Sequence, residues 1–239
     1  MSPAAAGEGG AAAAACNLCG GTAFQAFRGR DGERCAGCGA LRRHRVAYAV
    51  YHRLGLFAPR PSPPYGRRVL HLAPEAVLHD RIRDAVGAGY LPADARPEAY
   101  GRIQCLRLVL PDGFRLFPAG FFDYVLHNHV LEHIPGSFRD HLAEFGRILK
   151  PGGHLIFSVP GPKMSVLTVE GGEHLASDAE RLRVFGQADH LKLFGRDLPD
   201  FLAGLPGGAF AWDPLSAAER QAIGVAENSN RFLVWRKAA

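Results

Sequence analysis

The sequence has no uninterrupted apolar run long enough to cross a lipid bilayer. A membrane-spanning helix needs about 18 or more apolar residues, and the longest apolar stretches of this chain are broken by charges or prolines well before that length. The first stretch, MSPAAAGEGGAAAAAC, also lacks the basic start and the leucine-rich core of a secretory signal. We therefore expect a cytoplasmic protein without a membrane partner, in which thiols stay reduced.

Large apolar side chains are nearly absent from residues 1–13, which consist almost entirely of Ala, Gly, Ser and Pro. Such a composition cannot offset the entropy that a chain loses when it becomes ordered. We predict a disordered tail there. The whole chain has 239 residues and 47% hydrophobic content, which is enough for one main domain and a small satellite domain.

Cysteine is scarce, but four of the five cysteines form two Cys-x2-Cys pairs. These four are Cys16, Cys19, Cys35 and Cys38. Zinc prefers four such ligands in a tetrahedron, and a closed four-ligand site is structural. Gly20 and Gly39 each follow the second cysteine of a pair, where a turn often needs positive φ. Residues 14–42 therefore resemble a zinc ribbon with a structural Zn2+; disulfides or four unrelated thiols are the disfavoured alternatives.

Acidic residues are scarce between residues 28 and 68, a segment that holds ten arginines and only two acidic side chains. From residue 69 onward, 18 basic residues face 20 acidic ones. The basic segment 28–68 could attract RNA, an acidic protein or a phosphorylated substrate, or it could be a solvated face. Residues 43–66 are predicted to form a basic helix and a proline-rich, extended linker that ends the N-terminal unit.

Beyond the linker, short apolar runs alternate with segments of helical period, which is typical of a doubly wound α/β sheet. The predicted strands are residues 68–73, 90–94, 103–108, 121–129, 154–160, 208–212 and 231–235. Ser137 and Asp140 form a capping-box pattern that begins a helix ending at the KPGG stretch. For residues 67–239 we predict an α/β fold: a Rossmann-like, seven-stranded, mostly parallel sheet with helices on both faces.

Residues 121–160 resemble the second half of a class I S-adenosylmethionine-dependent methyltransferase of the methyltransferase type 11-like kind. The matching positions are Phe122-Asp123, Asn128-His129, Val130-Leu131-Glu132-His133 and Leu149-Lys150-Pro151-Gly152-Gly153. The resemblance implies methyl transfer from S-adenosylmethionine, with the cofactor bound at the carboxyl ends of the strands.

The loop after the first predicted strand lacks the glycines that this family usually has there. It reads His71-Leu72-Ala73-Pro74-Glu75 and is similar to a minority branch with the form LHxAPE. The resemblance implies that Leu72, Ala73, Pro74 and Glu75 bind the cofactor. Ala73 still permits close backbone approach, and Pro74 removes one N–H donor. Glu75 could pair with the ammonium of the methionine tail, or it could only favour the positive end of a helix.

The resemblance implies further cofactor contacts at the ends of the next strands. Asp94 matches the acid that holds the ribose hydroxyls, although a turn Asp is the alternative. Asn128 and His129 complete the predicted contacts. The acid that the family places near the adenine amine appears as Cys105 or is displaced, so backbone groups or Leu106 would have to serve there.

Histidines are the candidate catalytic bases, because the pKa of imidazole lies near neutrality. His129 ends the fourth strand, where the ligand crevice of an open α/β sheet lies, and His133 is a second candidate or a loop brace. The segment GQADHLKLFG, residues 186–195, resembles the LHxAPE branch and supplies Asp189 and His190 as an acid/base pair or as a helix cap. Residues 160–178 resemble a lid over the acceptor site.

A small-molecule acceptor is the favoured substrate. One alternative is an RNA methyltransferase that contacts RNA through Arg42, Arg43 and Arg45. Others are a reaction of the cofactor different from methyl transfer, and a non-catalytic binding module with a degenerate cofactor fold. The residues do not indicate an oligomeric state.

Overall fold

The computed structural model describes residues 13–59, 66–161, 166–226 and 230–239. Most of the predicted tail, the greater part of the proline stretch and residues 162–165 of the predicted lid lie outside these ranges. Among the helices of the described ranges, none combines the length and the apolar character that crossing a bilayer requires.

Strands and helices alternate along the chain. The elements are β1 (Phe24–Phe27), β2 (Arg30–Cys35), α1 (Arg42–Arg53), β3 (Val69–Leu72), α2 (Ala76–Val86), β4 (Tyr90–Asp94), β5 (Leu106–Arg107), β6 (Phe122–Asn128), α3 (Phe138–Ile148), β7 (Leu149–Ser158), α4 (Asp178–Phe185), α5 (Asp197–Gly204), β8 (Gly208–Trp212), α6 (Ala217–Ala222) and β9 (Leu233–Lys237). Within the described residues, the last seven strands form one sheet in the order β5-β4-β3-β6-β7-β9-β8. In this sheet β9 runs in the opposite direction to the other six strands. The predicted fold class is confirmed.

The sheet is covered on both faces because successive side chains of a strand point to opposite sides. In β6, Val125 packs into an apolar cluster with Phe138 and Phe145 of α3. Its neighbours Tyr124 and Leu126 belong to a second cluster, on the side of α1 and α2. The near-continuous apolar runs of the central strands are the consequence of this double burial.

Two strands differ most from their predicted bounds. β5 has only two residues instead of the predicted 103–108, and it lies at the edge of the sheet. β7 begins at Leu149 and not at residue 154, because α3 ends at Ile148 and the chain becomes extended at once. Gly153 makes this early start possible, since a Cβ there would lie 3.0 Å from the carbonyl oxygen of Asp123 on β6.

The N-terminal unit packs directly onto the sheet domain. β1 and β2 form an antiparallel hairpin, and Cys16 and Cys35 share an apolar cluster with Leu78 of α2 and Leu126 of β6. Leu56, which lies in the predicted linker, is fully buried in the same cluster. The start of the predicted linker therefore contributes a side chain to the core.

Arg45 of α1 joins the N-terminal unit to the last part of the chain. The side chain is fully buried, and its guanidinium lies 4.5 Å from the Phe24 ring centroid. It donates to the carbonyls of Glu33 and Ala40 in the N-terminal unit and of Ile223 at 2.7 Å. Arg45 is therefore a structural residue. Its side chain, which was predicted to contact RNA, has no exposed surface available for that contact.

Three buried histidines make the stability of this fold depend on pH. Burial lowers the pKa of His127 to about 3 and the pKa values of His44 and His141 to about 4. His44 Nδ1 accepts the Leu41 amide at 3.1 Å, which requires the neutral ring. The unfolded chain takes up these protons below about pH 6.5, whereas the folded protein resists them until about pH 4. Stability is therefore complete above the unfolded pKa and is lost as the pH falls below it.

We expect the free energy of unfolding to be lower at about pH 5.5 than at about pH 7.5 by roughly 3 kcal/mol or more, about 1 kcal/mol for each of these histidines. His154 adds to this difference, because burial lowers its pKa to about 4 as well. Urea titrations at the two pH values measure this difference. The variant His127→Phe keeps a ring beside Phe145 and Phe157 and is expected to lose about 1 kcal/mol less. Equal unfolding free energies at both pH values would contradict this explanation.

Candidate functional site

A cleft of about 540 Å³ lies at the carboxyl ends of β3, β4 and β6. Strand order reverses here, because β4 and β6 flank β3 on opposite sides, and ligands of open α/β sheets bind at such a point. Its lining residues are Leu72, Ala73, Ala93, Asp94, Ala95, Arg96, Tyr100, Leu108, Val109, Leu110, His129, Val130, His133, Ile134, Pro135 and Asp189.

The glycine-free loop after β3 still adopts a conformation that usually calls for glycine. Ala73 has φ 48°, in the left-handed region, and its amide donates to the carbonyl of Ala93 at 3.0 Å. A non-glycine residue in this region costs about 1–2 kcal/mol. The loop therefore has the backbone shape that a glycine would give, although it contains none. The small side chain of Ala73 also leaves the backbone accessible from the cleft.

Asp94 ends β4 with its carboxylate held from two sides. The amide of Arg96 donates to Oδ1 at 2.7 Å, and the Tyr100 hydroxyl donates to Oδ2 at 2.8 Å. A carboxylate offers about four acceptor positions, so two remain for a ligand. Burial raises the pKa of Tyr100, and the Asp94 carboxylate raises it further, so this hydroxyl stays a donor.

Glu75 lies behind the loop in a buried hydrogen-bonded chain. His71 Nε2 lies 3.2 Å from its Oε2, and the Asn128 amide donates to its Oε1 at 2.8 Å. Burial alone would raise the pKa of Glu75, but His71, His44 and Asn128 together lower it to about 2. Among the described residues, neither Glu75, Asn128 nor Pro74 lines the cleft. This chain of contacts connects the loop to β6 and, through Ser158, to β7.

The part of the cleft beyond β5 is apolar. Leu108, Val109 and Leu110 line it, whereas Cys105 and Leu106 are not among the described lining residues. Leu106 lies on the short edge strand β5, and its role beside adenine stays a prediction.

A second cavity, of about 380 Å³, lies on the other side of His129. Of these two, the cleft at the ends of β3, β4 and β6 is the larger cleft. The second cavity opens at the end of β7 and the start of β9, and its lining residues are Arg43, His129, Ser158, Val159, Gly161, Trp212, Asn230, Arg231, Phe232 and Leu233. His129 lines both cavities. Its φ of 53° turns the chain sharply after β6, and its amide donates to the carbonyl of Ser158 at 2.9 Å.

The predicted Asp189 and His190 both contact His133. The Asp189 carbonyl lies 2.9 Å from His133 Nδ1, and the ring of His190 meets that of His133 edge to face at 4.8 Å. Asp189 is exposed at the cleft, while His190 is buried. Burial lowers the pKa of His190, which favours its neutral form.

Sequence reasoning missed several residues that line the two cavities. Tyr100 and Arg96 carry no pattern that marks them, and their role depends on the turn after β4. Arg43 stands in the basic segment but faces the second cavity. Trp212 sits in a predicted strand, where an aromatic side chain indicates core more readily than a binding site.

The four cysteines of the N-terminal unit converge. The Sγ atoms of Cys16 and Cys38 lie 3.6 Å apart, as do those of Cys19 and Cys35, and one ligand atom from each of the four lies within 4.8 Å of the others. A disulfide needs about 2.05 Å, and all five cysteines are free. Thiolates around tetrahedral zinc lie about 3.8 Å apart, so this cluster fits zinc. Gly20 and Gly39 have the predicted positive φ.

Residues 55–198 match the model of a protein family described as methyltransferase domain. This range covers more than half of the chain and contains the larger cleft. The chain belongs to this methyltransferase family. Comparison of the methyltransferase with curated proteins finds no match.

Several solved structures are similar to this methyltransferase. A SAM-dependent methyltransferase from Archaeoglobus fulgidus is 11% identical with a TM-score of 0.51, over 83% of this chain and 95% of that one. The N-methyltransferase NodS from Bradyrhizobium japonicum, in complex with S-adenosyl-L-homocysteine, is 17% identical with a TM-score of 0.45, over 82% and 88%. The CurJ carbon methyltransferase is 16% identical with a TM-score of 0.45. The match covers 75% of this chain and half the length of that one.

Proposed function

We propose that this methyltransferase transfers a methyl group from S-adenosylmethionine to a small acidic acceptor. The observation that carries the proposal is the position of His129, which lines both the larger cleft and the second cavity. A donor in one cavity and an acceptor in the other would meet at this residue. Methyl transfer needs in-line approach of the acceptor and the exclusion of water more than it needs electrophilic help.

The larger cleft fits the cofactor in size and in chemistry. Its volume lies within the range of about 300–1,000 Å³ that is usual for small-ligand sites. The two remaining acceptor positions of Asp94 would hold the ribose hydroxyls. Leu108 and Leu110 offer an apolar surface for adenine, and the Ala73 backbone would lie against the methionine portion. The cofactor, when bound, supplies a methyl group on a positively charged sulfur.

We assign Glu75 a positioning role. Its carboxylate already accepts hydrogen bonds from His71 and Asn128 and lies behind the cleft wall, so it holds the loop after β3 against β6. The pairing of Glu75 with the methionine ammonium stays a prediction, and it would require the carboxylate to leave these partners.

The second cavity supports the acceptor assignment. Its volume of about 380 Å³ admits a small molecule. Arg43 and Arg231 are among its lining residues, and arginines favour an acceptor with a negatively charged group. Arg231 also pairs with Asp213 at 3.7 Å, so Arg43 is the main candidate for this contact. Trp212 adds an aromatic face, and its indole N–H has no hydrogen-bond partner among the described residues. His129 would accept the proton of an acceptor that loses one.

The positions of the arginines in the basic segment favour a small acidic acceptor over an RNA substrate. Of the three arginines predicted to contact RNA, Arg45 is buried and Arg43 lines the second cavity. RNA binding stays a prediction for the rest of the segment.

We further propose that the four cysteines hold a Zn2+ ion. Its role would be structural, because four protein ligands leave no open position for catalysis.

Isothermal titration of the zinc-loaded protein with S-adenosylhomocysteine tests the cofactor, and we expect binding with one site per chain. A panel of small aromatic carboxylates and phenolates, assayed by S-adenosylhomocysteine release, tests the acceptor class. In the acceptor assay, Arg43→Gln is expected to raise KM with little effect on cofactor affinity, because it removes one ground-state charge contact. Folded protein that binds no S-adenosylhomocysteine would refute the proposal; binding without turnover of any acidic acceptor would refute only the acceptor class.

A further inference from the structure

A second group of metal-binding side chains lies beside the larger cleft, away from the four cysteines. Glu132, His133 and His190 each present one ligand atom, and these three atoms lie within 4.8 Å of one another. We propose that these three residues bind a divalent transition metal ion such as Zn2+. The proposal goes beyond the methyl transfer described above and does not depend on the identity of the acceptor.

Glu132 is the main reason for the proposal. Its side chain is fully buried, and neither carboxylate oxygen has a hydrogen-bond partner within the part of the chain that the structure describes. A buried carboxylate without partners is unfavourable by several kcal/mol. A cation bound against this carboxylate would offset the cost of burying it.

The neighbouring histidine and lysine side chains do not fill this role. His129 Nδ1 lies 3.4 Å from Glu132 Oε1 but makes no hydrogen bond to it. The buried ammonium of Lys192 donates to the carbonyl of Ile134 instead. A metal ion between Glu132 and the two ligand histidines would give the carboxylate a partner of opposite charge at bonding distance.

The histidines are arranged as metal ligands usually are. A ligating histidine commonly donates its other ring N–H to a backbone carbonyl, which orients the ring. His133 Nδ1 faces the carbonyl of Asp189 at 2.9 Å, so donation from Nδ1 directs the lone pair to Nε2. His190 is held beside it by main-chain pairing, since the next residue, Leu191, donates its amide to the carbonyl of Glu132 at 2.8 Å.

Two imidazoles and one carboxylate form a donor set typical of zinc and of non-haem iron. Bonds to such ions are about 2.0–2.2 Å long. Ligand atoms within 4.8 Å of one another close on an ion through side-chain shifts of about 1 Å or less. Three protein ligands leave a coordination position for water or a substrate oxygen. Because His133 lines the larger cleft, that position is reached from the cleft.

Metal content of the full-length protein tests the proposal. After loading with Zn2+ and desalting, we expect Glu132→Gln and His190→Asn to contain one zinc equivalent fewer per chain than the wild type, measured by plasma mass spectrometry. The matched control is His141→Asn, which removes another buried histidine outside the cluster and is expected to retain the wild-type content. Circular dichroism shows whether each variant is folded.

Cobalt spectra of the wild-type protein keep the test decisive even if a variant fails to fold. The site proposed here has nitrogen and oxygen ligands, so Co2+ bound to it gives visible d–d bands without the intense thiolate charge-transfer band of the cysteine site. We expect both signatures in the wild type. Folded variants with unchanged zinc content, or a wild-type spectrum with thiolate bands alone, would overturn the proposal. Neither result bears on binding of S-adenosylhomocysteine, which is measured separately.

Discussion

Replacing Asp94 by alanine is expected to weaken the binding of S-adenosylhomocysteine about 100-fold. The carboxylate ends β4 at the cleft, with two acceptor positions left for the proposed contacts with the ribose hydroxyls. Hydrogen bonds to a charged group contribute about 1.5 kcal/mol or more each, and the loss of two gives roughly 3 kcal/mol, or about 100-fold in the dissociation constant. Isothermal titration measures this constant directly.

Two control variants separate the ligand contact from the local structure. Asp112→Ala removes an aspartate whose side chain is 86% exposed and is expected to bind as the wild type does. Tyr100→Phe removes one hydrogen bond to Asp94 and leaves the carboxylate in place, so its affinity is expected to fall only a few-fold. If folded Asp94→Ala protein bound the ligand as tightly as the wild type, Asp94 would not be a cofactor ligand.

Replacing Arg45 by methionine is expected to lower the free energy of unfolding by about 3 kcal/mol or more. Methionine fills a similar volume but donates no hydrogen bonds. The carbonyls of Glu33, Ile223 and Gly224 would then lose the Arg45 donor, and each such group costs about 1 kcal/mol or more. The Ala40 carbonyl keeps the amide of Cys35. Urea denaturation monitored by circular dichroism measures the loss.

Arg53→Met is the matched control, because it removes an arginine from the same helix. Arg53 is half exposed and pairs with Glu219 at 2.6 Å, and surface pairs contribute about 1 kcal/mol or less. If Arg45→Met were no less stable than Arg53→Met, Arg45 would not hold the N-terminal unit to the rest of the chain. The comparison also shows whether loss of activity in an Arg45 variant reflects folding.

The central strands of the sheet could be predicted because strands such as β3 and β6 are buried on both faces and read as apolar runs. The end of α3 could be predicted only approximately. Periodicity extends the helix to the KPGG stretch, whereas the structure ends it at Ile148, because Leu149 already pairs with Phe122 of β6. That pairing depends on a strand almost thirty residues earlier, so the periodicity of the residues around the helix end does not reveal it.

The basic segment shows where residue type alone is insufficient. Arg43 and Arg45 are two positions apart in one helix, so their side chains point in nearly opposite directions. One lines the second cavity and the other is buried against the N-terminal unit. Composition predicts a charged surface for both, and only the packing of α1 separates a binding residue from a structural one.

By itself, the sequence determined the features that depend on neighbours in the chain: the paired cysteine turns, the succession of strands and helices, and the loop of Leu72 and Ala73 at the end of the first strand. Only the tertiary structure decided which distant residues meet. It set Glu75 behind the cleft and brought His190 to Glu132 and His133. The physical reason is that turns and strands follow from local geometry, whereas a site forms where packing brings together segments that share no local pattern.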